Sequence, residues 1–287
     1  MTHSVLRPAT LLATALLLLG GCDVLDDPVI PLTINYRGEA EPPAFDAQLD
    51  GPQHVLLEDF TAHLCGNCPS AGRRAENMAE DHPGLIHVLA IHAGSLAAVN
   101  EAPFDIDWTN PESNAYWDQL ANQLNPIGRV NRRGGPAEVV IPTNWNAQVA
   151  QELTLIPQAH LQGAVIPDAS VAGDVHLHTH ITFSEAIAGE VRLALLINEN
   201  NIIAAQLDYQ ADPEVVEEFV HNHMLRGSLS GPDGLVVATD PTAGSTVQLD
   251  YTLVWSDEWV LDNSHILAVL TNAQGEVLNC LDLPWTE

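Results

Sequence analysis

The sequence predicts an α/β domain followed by an all-β sandwich, and two observations support this order. In the first half, a short apolar strand at residues 55–60 precedes two cysteines, Cys65 and Cys68, and a helical pattern follows them at once. From about Gln158 onward, the pattern changes to short alternating or apolar stretches that are separated by turn signals. Residues 52–287 are enough for two domains of ordinary size.

Residues 1–21 are predicted to be a signal peptide. Their apolar run, at positions 9–19, is too short to span a bilayer permanently, and the segment closes on Leu19-Gly20-Gly21 before Cys22. Small residues before a cysteine resemble a lipobox, which implies that Cys22 becomes a lipidated N-terminus. Ordinary signal cleavage nearby is the alternative. Residues 22–51, with their prolines and acids, are predicted to form an extended tether from the membrane.

The charge balance excludes one class of partner. The chain has 38 acidic and 9 basic side chains, a formal net charge of −29, and no lysine. Such a surface repels nucleic acids and anionic lipid headgroups, so no nucleic-acid partner is expected. The lipid on Cys22 is the expected contact with the membrane.

The first domain is predicted to cover residues 52–157. Strands at 55–60 and 85–92 flank a helix at 69–80, which makes a parallel β-α-β unit. Pro69 falls in the first turn of that helix, where a missing N–H costs little. Further helices are predicted at 113–124 and 144–155, because apolar residues recur there every three to four positions.

The two cysteines stand where the free N–H groups of a helix N-terminus favour a thiolate. This is the layout of a thioredoxin-like redox site. Cys65 is the expected attacking thiolate and Cys68 the resolving thiol, with a protonated His63 able to lower the pKa of Cys65 further. The alternative is a permanent structural disulfide, and the sequence leaves the choice open. Cys280 is left over and is expected to be a small buried side chain.

Likeness to thioredoxins implies roles for two further residues. Asp59 stands at the offset of the buried acid that moves protons at the second thiol, although it could equally cap a turn. Pro126 follows the second helix, in the order of the cis-proline loop that faces the cysteine pair. The tryptophan that usually precedes the first cysteine is replaced by Leu64.

A basic cluster is expected near the cysteines. Of the eight arginines that follow Cys22, five lie in segments placed close to the pair, and they would stabilise a thiolate or an anionic partner group. Pairing with surface carboxylates is the alternative. The five are Arg73, Arg74, Arg129, Arg132 and Arg133.

The second domain, residues 158–287, is predicted to be a β-sandwich with strands at 175–183, 191–197, 246–255 and 265–271. Three histidines alternate along its first strand and would share one face, where imidazoles could hold a transition metal. A row of exposed histidines is the alternative, and no metal or other cofactor is expected. The candidates are His176, His178 and His180, with His221 and His223 if their loop folds over the row.

Three segments resemble the outer-membrane protein twenty-eight-related lipoproteins. They are Leu56-Leu57-Glu58-Asp59-Phe60-Thr61 before the Cys65-x-x-Cys68-Pro69 motif, the Pro-x-Gly-x-Val-Asn-Arg stretch at 126–132, and His221-Asn222-His223-Met224-Leu225-Arg226. The resemblance implies a thioredoxin-like domain, a C-terminal immunoglobulin-like domain, and lipid anchoring in the cell envelope at the outer membrane, in either leaflet.

Two functions follow from the sequence. The first is thiol–disulfide exchange with a partner protein through Cys65 and Cys68. The second is a non-catalytic surface binding or assembly role in which the disulfide is structural. The reduction potential of the pair separates these hypotheses.

Overall fold

The computed structural model describes residues 36–38, 41–256 and 259–286. The predicted signal peptide and Cys22 lie outside these residues. The fold is mostly β-sheet with few helices. No helix in the described ranges is long and apolar enough to cross a membrane.

The first part of the chain alternates strands and helices, as predicted, although the second helix ends early, at Asp118. Its elements are β1 (Val55–Thr61), α1 (Cys68–Asp81), β2 (Ile86–His92), α2 (Pro111–Asp118), β3 (Ile127–Val130) and α3 (Trp145–Glu152). β1 pairs in parallel with β2 and antiparallel with β3.

The rest of the described chain contains strands. They are β4 (Ala159–Pro167), β5 (Asp174–Phe183), β6 (Glu190–Glu199), β7 (Ile202–Leu207), β8 (Val215–His221), β9 (Met224–Ser228), β10 (Leu235–Thr239), β11 (Thr246–Val254), β12 (Ser264–Thr271) and β13 (Val277–Leu283). The sequence patterns at β5, β6, β11 and β12 predicted these strands to within one or two residues.

One sheet runs through both halves of the chain. Its strand order is β13-β12-β6-β9-β2-β1-β3, with β10 added beside β6. The halves meet where β2 pairs with β9 through Ala90 and Met224. A second sheet, β11-β5-β4, faces part of this large sheet across an apolar core, and β7 and β8 pair only with each other among the described strands.

The two faces of β1 pack against different helices, because side chains alternate along a strand. Val55 and Leu57 contact α1 and α3, whereas Leu56 and Phe60 lie in a core that includes Tyr116 of α2. Asp59 therefore faces α1, and its neighbour Glu58 faces α2. This alternation decides the environment of every candidate group on β1.

The described part of the predicted tether packs against β5. Tyr36 lies edge-on to His176 and His178, with ring centroids 5.2 Å apart in each case. Phe45 stacks on His180, and the Gln48 N–H donates to Thr182 Oγ1 at 3.1 Å. We call residues 36–38 and 41–51 the strap. The aromatic rings of the strap cover the histidine face, so this part of the predicted tether packs against the folded chain.

Candidate functional site

Cys65 and Cys68 form a disulfide at the start of α1, with their Cα atoms 5.3 Å apart. Cys68 is the first residue of that helix, and its N–H donates to Cys65 O at 3.0 Å. The strand–turn–helix order predicted around the pair is therefore present. Both cysteines are buried, however, with 5% of Cys65 and 1% of Cys68 exposed. Neither cysteine is therefore open to solvent in this conformation.

Asp59 is a buried carboxyl beside the disulfide. Only 2% of it is exposed, and its Oδ1 has no hydrogen-bond partner among the described residues. Burial raises the pKa of Asp59 to about 7. Its Oδ2 lies 4.0 Å from where a Cβ on Gly72 would stand, one helical turn after Cys68. Asp59 is thus not a turn cap at the surface.

A cavity of about 90 Å³ lies between Asp59 and Cys68. Its lining also includes His92 from the end of β2 and His221 from the end of β8. The ring centroids of these histidines are 5.3 Å apart, and His92 Nδ1 and His221 Nε2 are buried with no partner in the described part of the chain. Burial lowers the pKa of both, to about 4 for His221, and the neighbouring imidazoles lower it further. Both rings are neutral at pH 7.

His63 does not supply a positive charge to Cys65. Burial lowers its pKa, against the backbone hydrogen bond at Ala98 and the charge of Asp107, which raise it. Its Nε2 is also buried without a partner among the described groups. A neutral imidazole cannot stabilise a thiolate by charge, so this expectation is wrong.

The Asn125–Pro126 peptide bond is cis, and it leads directly into β3. Asn125 Nδ2 donates to Thr61 O at 3.3 Å and to Ala93 O at 3.0 Å. These bonds tie the proline loop to the ends of β1 and β2, the sheet end from which the chain leads to Cys65. Pro126 thus lies at the sheet end that the sequence order implied.

The five arginines do not form one cluster. Arg129 and Arg132 both bind Glu58 Oε1, at 2.8 and 2.7 Å, and all three side chains are buried. Burial acts to raise the pKa of Glu58, but the two guanidinium groups outweigh it and lower the pKa. Because Glu58 faces α2, these arginines lie on the side of β1 away from Asp59. The expectation that these arginines form a basic cluster near the cysteines is therefore wrong for Arg129 and Arg132.

The remaining three arginines also have separate partners. Arg133 pairs with Glu152 of α3 at 2.8 Å, and Arg74 donates to Asn146 Oδ1 at 3.2 Å. Only Arg73 lines the cavity beside Cys68, and it pairs with Asp208 at 2.9 Å. The partners of these three arginines therefore lie in different places, and only that of Arg73 is near the cysteine pair.

The 126–132 stretch has a structural explanation. Gly128 leaves no room for a side chain, since a Cβ there would lie 2.6 Å from Glu58 O. Asn131 Oδ1 accepts from the Leu56 N–H at 2.8 Å, and Asn131 Nδ2 donates to Glu152 at 2.9 Å. The resemblance at these positions therefore reflects how β3 attaches to β1.

The histidines on β5 do not form a site with His221 and His223. His176 bonds to Asp168 at 2.9 Å, and His178 bonds to Asp250 at 2.7 Å. All three strand histidines are buried beneath the strap, whereas His221 lines the disulfide cavity. Among the residues that the structure describes, no group of histidine, cysteine and acidic side chains has the geometry to hold a metal ion.

A hairpin from the second half of the chain covers the disulfide, and no sequence pattern predicted this contact. The Leu207 N–H donates to His63 O at 2.8 Å, and the Tyr209 N–H donates to Gly66 O at 2.9 Å. The Tyr209 ring sits where a Cβ on Gly66 would stand, about 2.5 Å from the nearest ring atom. These contacts join β7, and the turn that follows it, to the cysteine loop, which we define as residues 62–66.

The fourth cysteine is separate from this site. Cys280 lies on β13 in the core, and burial raises its pKa well above the ordinary value. It is a free thiol. Its placement agrees with the expectation of a small buried side chain.

The chain matches the model of a known family. A family model described as outer membrane protein Omp28 matches residues 113–282, more than half of the chain. The matched range contains two of the three segments that carried the sequence resemblance, at 126–132 and 221–226, and it begins after the cysteine pair. A search of curated proteins finds no match.

Two solved structures share the fold. HBP35 of Porphyromonas gingivalis is 16% identical, with a TM-score of 0.59, over 80% of this chain and 74% of that one. A protein from Agrobacterium tumefaciens is 12% identical, with a TM-score of 0.51, over 85% of this chain and 97% of that one. At these identities, the likeness is one of fold alone.

Proposed function

This chain belongs to the Omp28 family of outer membrane proteins, and from that starting point we propose that it exchanges electrons with partner proteins through Cys65 and Cys68. The observation that carries the proposal is Asp59. A buried carboxyl with an unpartnered oxygen lowers the stability of the fold. A purely structural disulfide does not require such a group beside it. A carboxyl whose pKa is about 7 can accept or donate a proton at neutral pH.

The reaction is a two-step exchange. The Cys65 thiolate attacks a partner disulfide, forms a mixed disulfide and releases one partner sulfur as a thiolate. Cys68 then gives its proton to Asp59 and attacks Cys65 Sγ, which restores the Cys65–Cys68 bond and releases the second partner sulfur. Two electrons pass to the partner, whose thiolates take protons from water. A dithiol protein of the envelope must return the two electrons.

The proposed architecture is a thioredoxin-like unit over residues 52–157 and an immunoglobulin-like sandwich over residues 158–287. The parallel β1–α1–β2 unit with its cis-proline loop supports the first assignment. The apolar core between the sheet β11-β5-β4 and the strands β6 and β12 supports the second.

The proposed location is the outer membrane, with the protein held by a lipid on Cys22. The family description and the small residues before Cys22 support this location. The strap lies between Cys22 and the first strand, so a short segment after the lipid would connect the membrane to the folded chain.

A turnover assay tests the proposal. With dithiothreitol as electron donor, the protein should accelerate reduction of a peptide disulfide. Replacing the attacking thiol, Cys65→Ser, should remove the acceleration. Cys280→Ala is the matched control, since that thiol lies outside the site, and it should retain the rate. Equal rates for wild type and Cys65→Ser would contradict the proposal.

A second candidate is a binding or assembly lipoprotein in which the disulfide only closes the helix N-terminus. The burial of both cysteines favours it, because a bond that no thiol can reach does not turn over. It predicts that the double variant Cys65→Ser/Cys68→Ser loses about 2 kcal/mol of stability, with no change in function.

A further inference from the structure

We infer that the cysteine loop and Arg73 form a binding site for an extended acidic–aromatic polypeptide, and that the chain fills this site with its own residues 206–210. The inference deepens the proposed function and rests on it for its biological purpose. The partner protein that exchanges electrons with Cys65 and Cys68 would carry this acidic–aromatic segment. We call residues 206–210 the plug.

The plug binds the cysteine loop as an added extended peptide would. Two of its backbone N–H groups, those of Leu207 and Tyr209, donate to the carbonyls of His63 and Gly66 at 2.8 and 2.9 Å. Residues 207 and 209 alternate, as they do in strand addition. The side chain of Gln206 donates to Cys65 O at 3.3 Å. Backbone contacts of this kind accept many sequences, so side chains must supply the selectivity.

Three side chains of the plug supply that selectivity. Asp208 accepts from Arg73 Nη1 at 2.9 Å, and Gln210 Oε1 accepts from Arg73 Nη2 at 2.7 Å. The Tyr209 ring lies on Gly66, where the absence of a side chain leaves a flat surface. Arg73 is one of only nine basic residues against 38 acidic ones. A partner segment would therefore carry a carboxylate followed by an aromatic side chain.

The plug belongs to a hairpin that can dissociate from the cysteine loop. β7 and β8 form a two-stranded sheet that no other described strand extends, and such hairpins are marginally stable alone. Its outer face exposes Ile203 and Val220, which oppose each other across the hairpin. Contacts with the cysteine loop and α1 hold the inner face. A competing peptide replaces the same bonds one for one, which places the partner segment next to Cys65.

Fluorescence anisotropy of the oxidised full-length protein tests the inference. The probe is a labelled peptide with the sequence of residues 206–215. The double variant Asp208→Asn/Tyr209→Ala, whose plug is weakened, should bind this peptide about tenfold or more tightly than wild type, because the site is no longer filled. A peptide with alanine in place of its Asp and Tyr should not bind.

Three further substitutions test the binding surface itself. In the double variant, adding Arg73→Ala should weaken peptide binding about tenfold, whereas adding Arg74→Ala should not, since Arg74 contacts Asn146 instead. Ile203→Ala, on the outer face of the hairpin, should leave wild-type binding unchanged. If the double variant fails to fold, Asp208→Asn alone changes no volume and should still bind about threefold more tightly than wild type.

Absence of peptide binding to a folded Asp208→Asn variant, or binding that Arg73→Ala leaves unchanged, would overturn the inference. Anisotropy needs no electron transfer, so the result is separate from the proposed function. Peptide binding together with a potential typical of structural disulfides would overturn only the electron exchange. A potential in the catalytic range without peptide binding would overturn only the peptide site.

Discussion

Glu58 and Asp59 are adjacent carboxyls on β1 that meet opposite environments. Glu58 is held ionised between Arg129 and Arg132, and its pKa is lowered although burial opposes this. Asp59 has no guanidinium beside it, and burial raises its pKa to about 7. One residue of strand alternation therefore separates a carboxyl that is paired with guanidinium groups from one that has no such partner.

Asp59→Asn should change how stability depends on pH. The folded pKa of Asp59 is raised above its ordinary value of 3.8, so the folded state binds the proton more tightly than the unfolded chain. Wild type therefore loses stability as pH rises from about 4 to 7. Urea unfolding should show Asp59→Asn more stable than wild type by about 2–4 kcal/mol at pH 8, with a smaller difference at pH 4. A pH-independent difference would contradict this assignment.

Glu58→Gln should be strongly destabilising. The substitution leaves Arg129 and Arg132 buried without a counter-charge, which costs about 3–5 kcal/mol. Glu190→Gln is the matched control, because it breaks an exposed pair with Arg192 and should cost about 1 kcal/mol or less. Chemical denaturation of both variants measures the difference. A similar loss in both would show that the Glu58 pairs contribute little.

At the scale of elements, local patterns predicted β1, α1 and β2 well. Apolar runs define both strands, and Pro69 marks the first turn of the helix. The hairpin β7–β8 could not be predicted, since the exposed Glu217 and Glu218 interrupt the apolar residues of β8. Its position depends on contacts with residues more than 130 positions earlier, such as Gln206 with Cys65. A one-dimensional pattern carries no record of such contacts.

The strap is the other element that the sequence did not place. Phe45 covers His180, whose pKa is lowered by burial. Phe45→Ala should expose the imidazole and raise its pKa toward 6.5, as measured by NMR titration. Leu49→Ala is the control, because Leu49 is an exposed residue of the same strap. An unchanged His180 pKa in Phe45→Ala would mean that groups other than Phe45 exclude water from the imidazole.

For the molecule as a whole, the change of pattern near Gln158 predicted two successive parts, but not the sheet they share. His223 O accepts from the Ala90 N–H at 2.6 Å, next to the pairing of β2 with β9. The 221–226 segment therefore joins the two halves and brings His221 to the disulfide cavity. This joint explains why a segment that looked like a metal-ligand candidate is a structural one. The spacing of the histidines along the chain made them candidate ligands, but it did not show which residues lie next to them in the fold.

Cys22→Ala tests the proposed attachment of the molecule to the membrane. In detergent phase partitioning, wild type should enter the detergent phase, because several acyl chains bind a bilayer or micelle stably. Cys22→Ala should move to the aqueous phase, and Cys280→Ala should behave like wild type. Retention of Cys22→Ala in the detergent phase would contradict lipid anchoring at this cysteine.

The reduction potential of the Cys65–Cys68 bond tests the central claim most directly. Equilibrating the full-length protein in thiol–disulfide buffers, followed by alkylation and mass spectrometry, measures it. The proposed electron exchange predicts a potential between about −120 and −270 mV, the range of catalytic dithiol proteins. A potential below about −300 mV, as in structural disulfides, would contradict it.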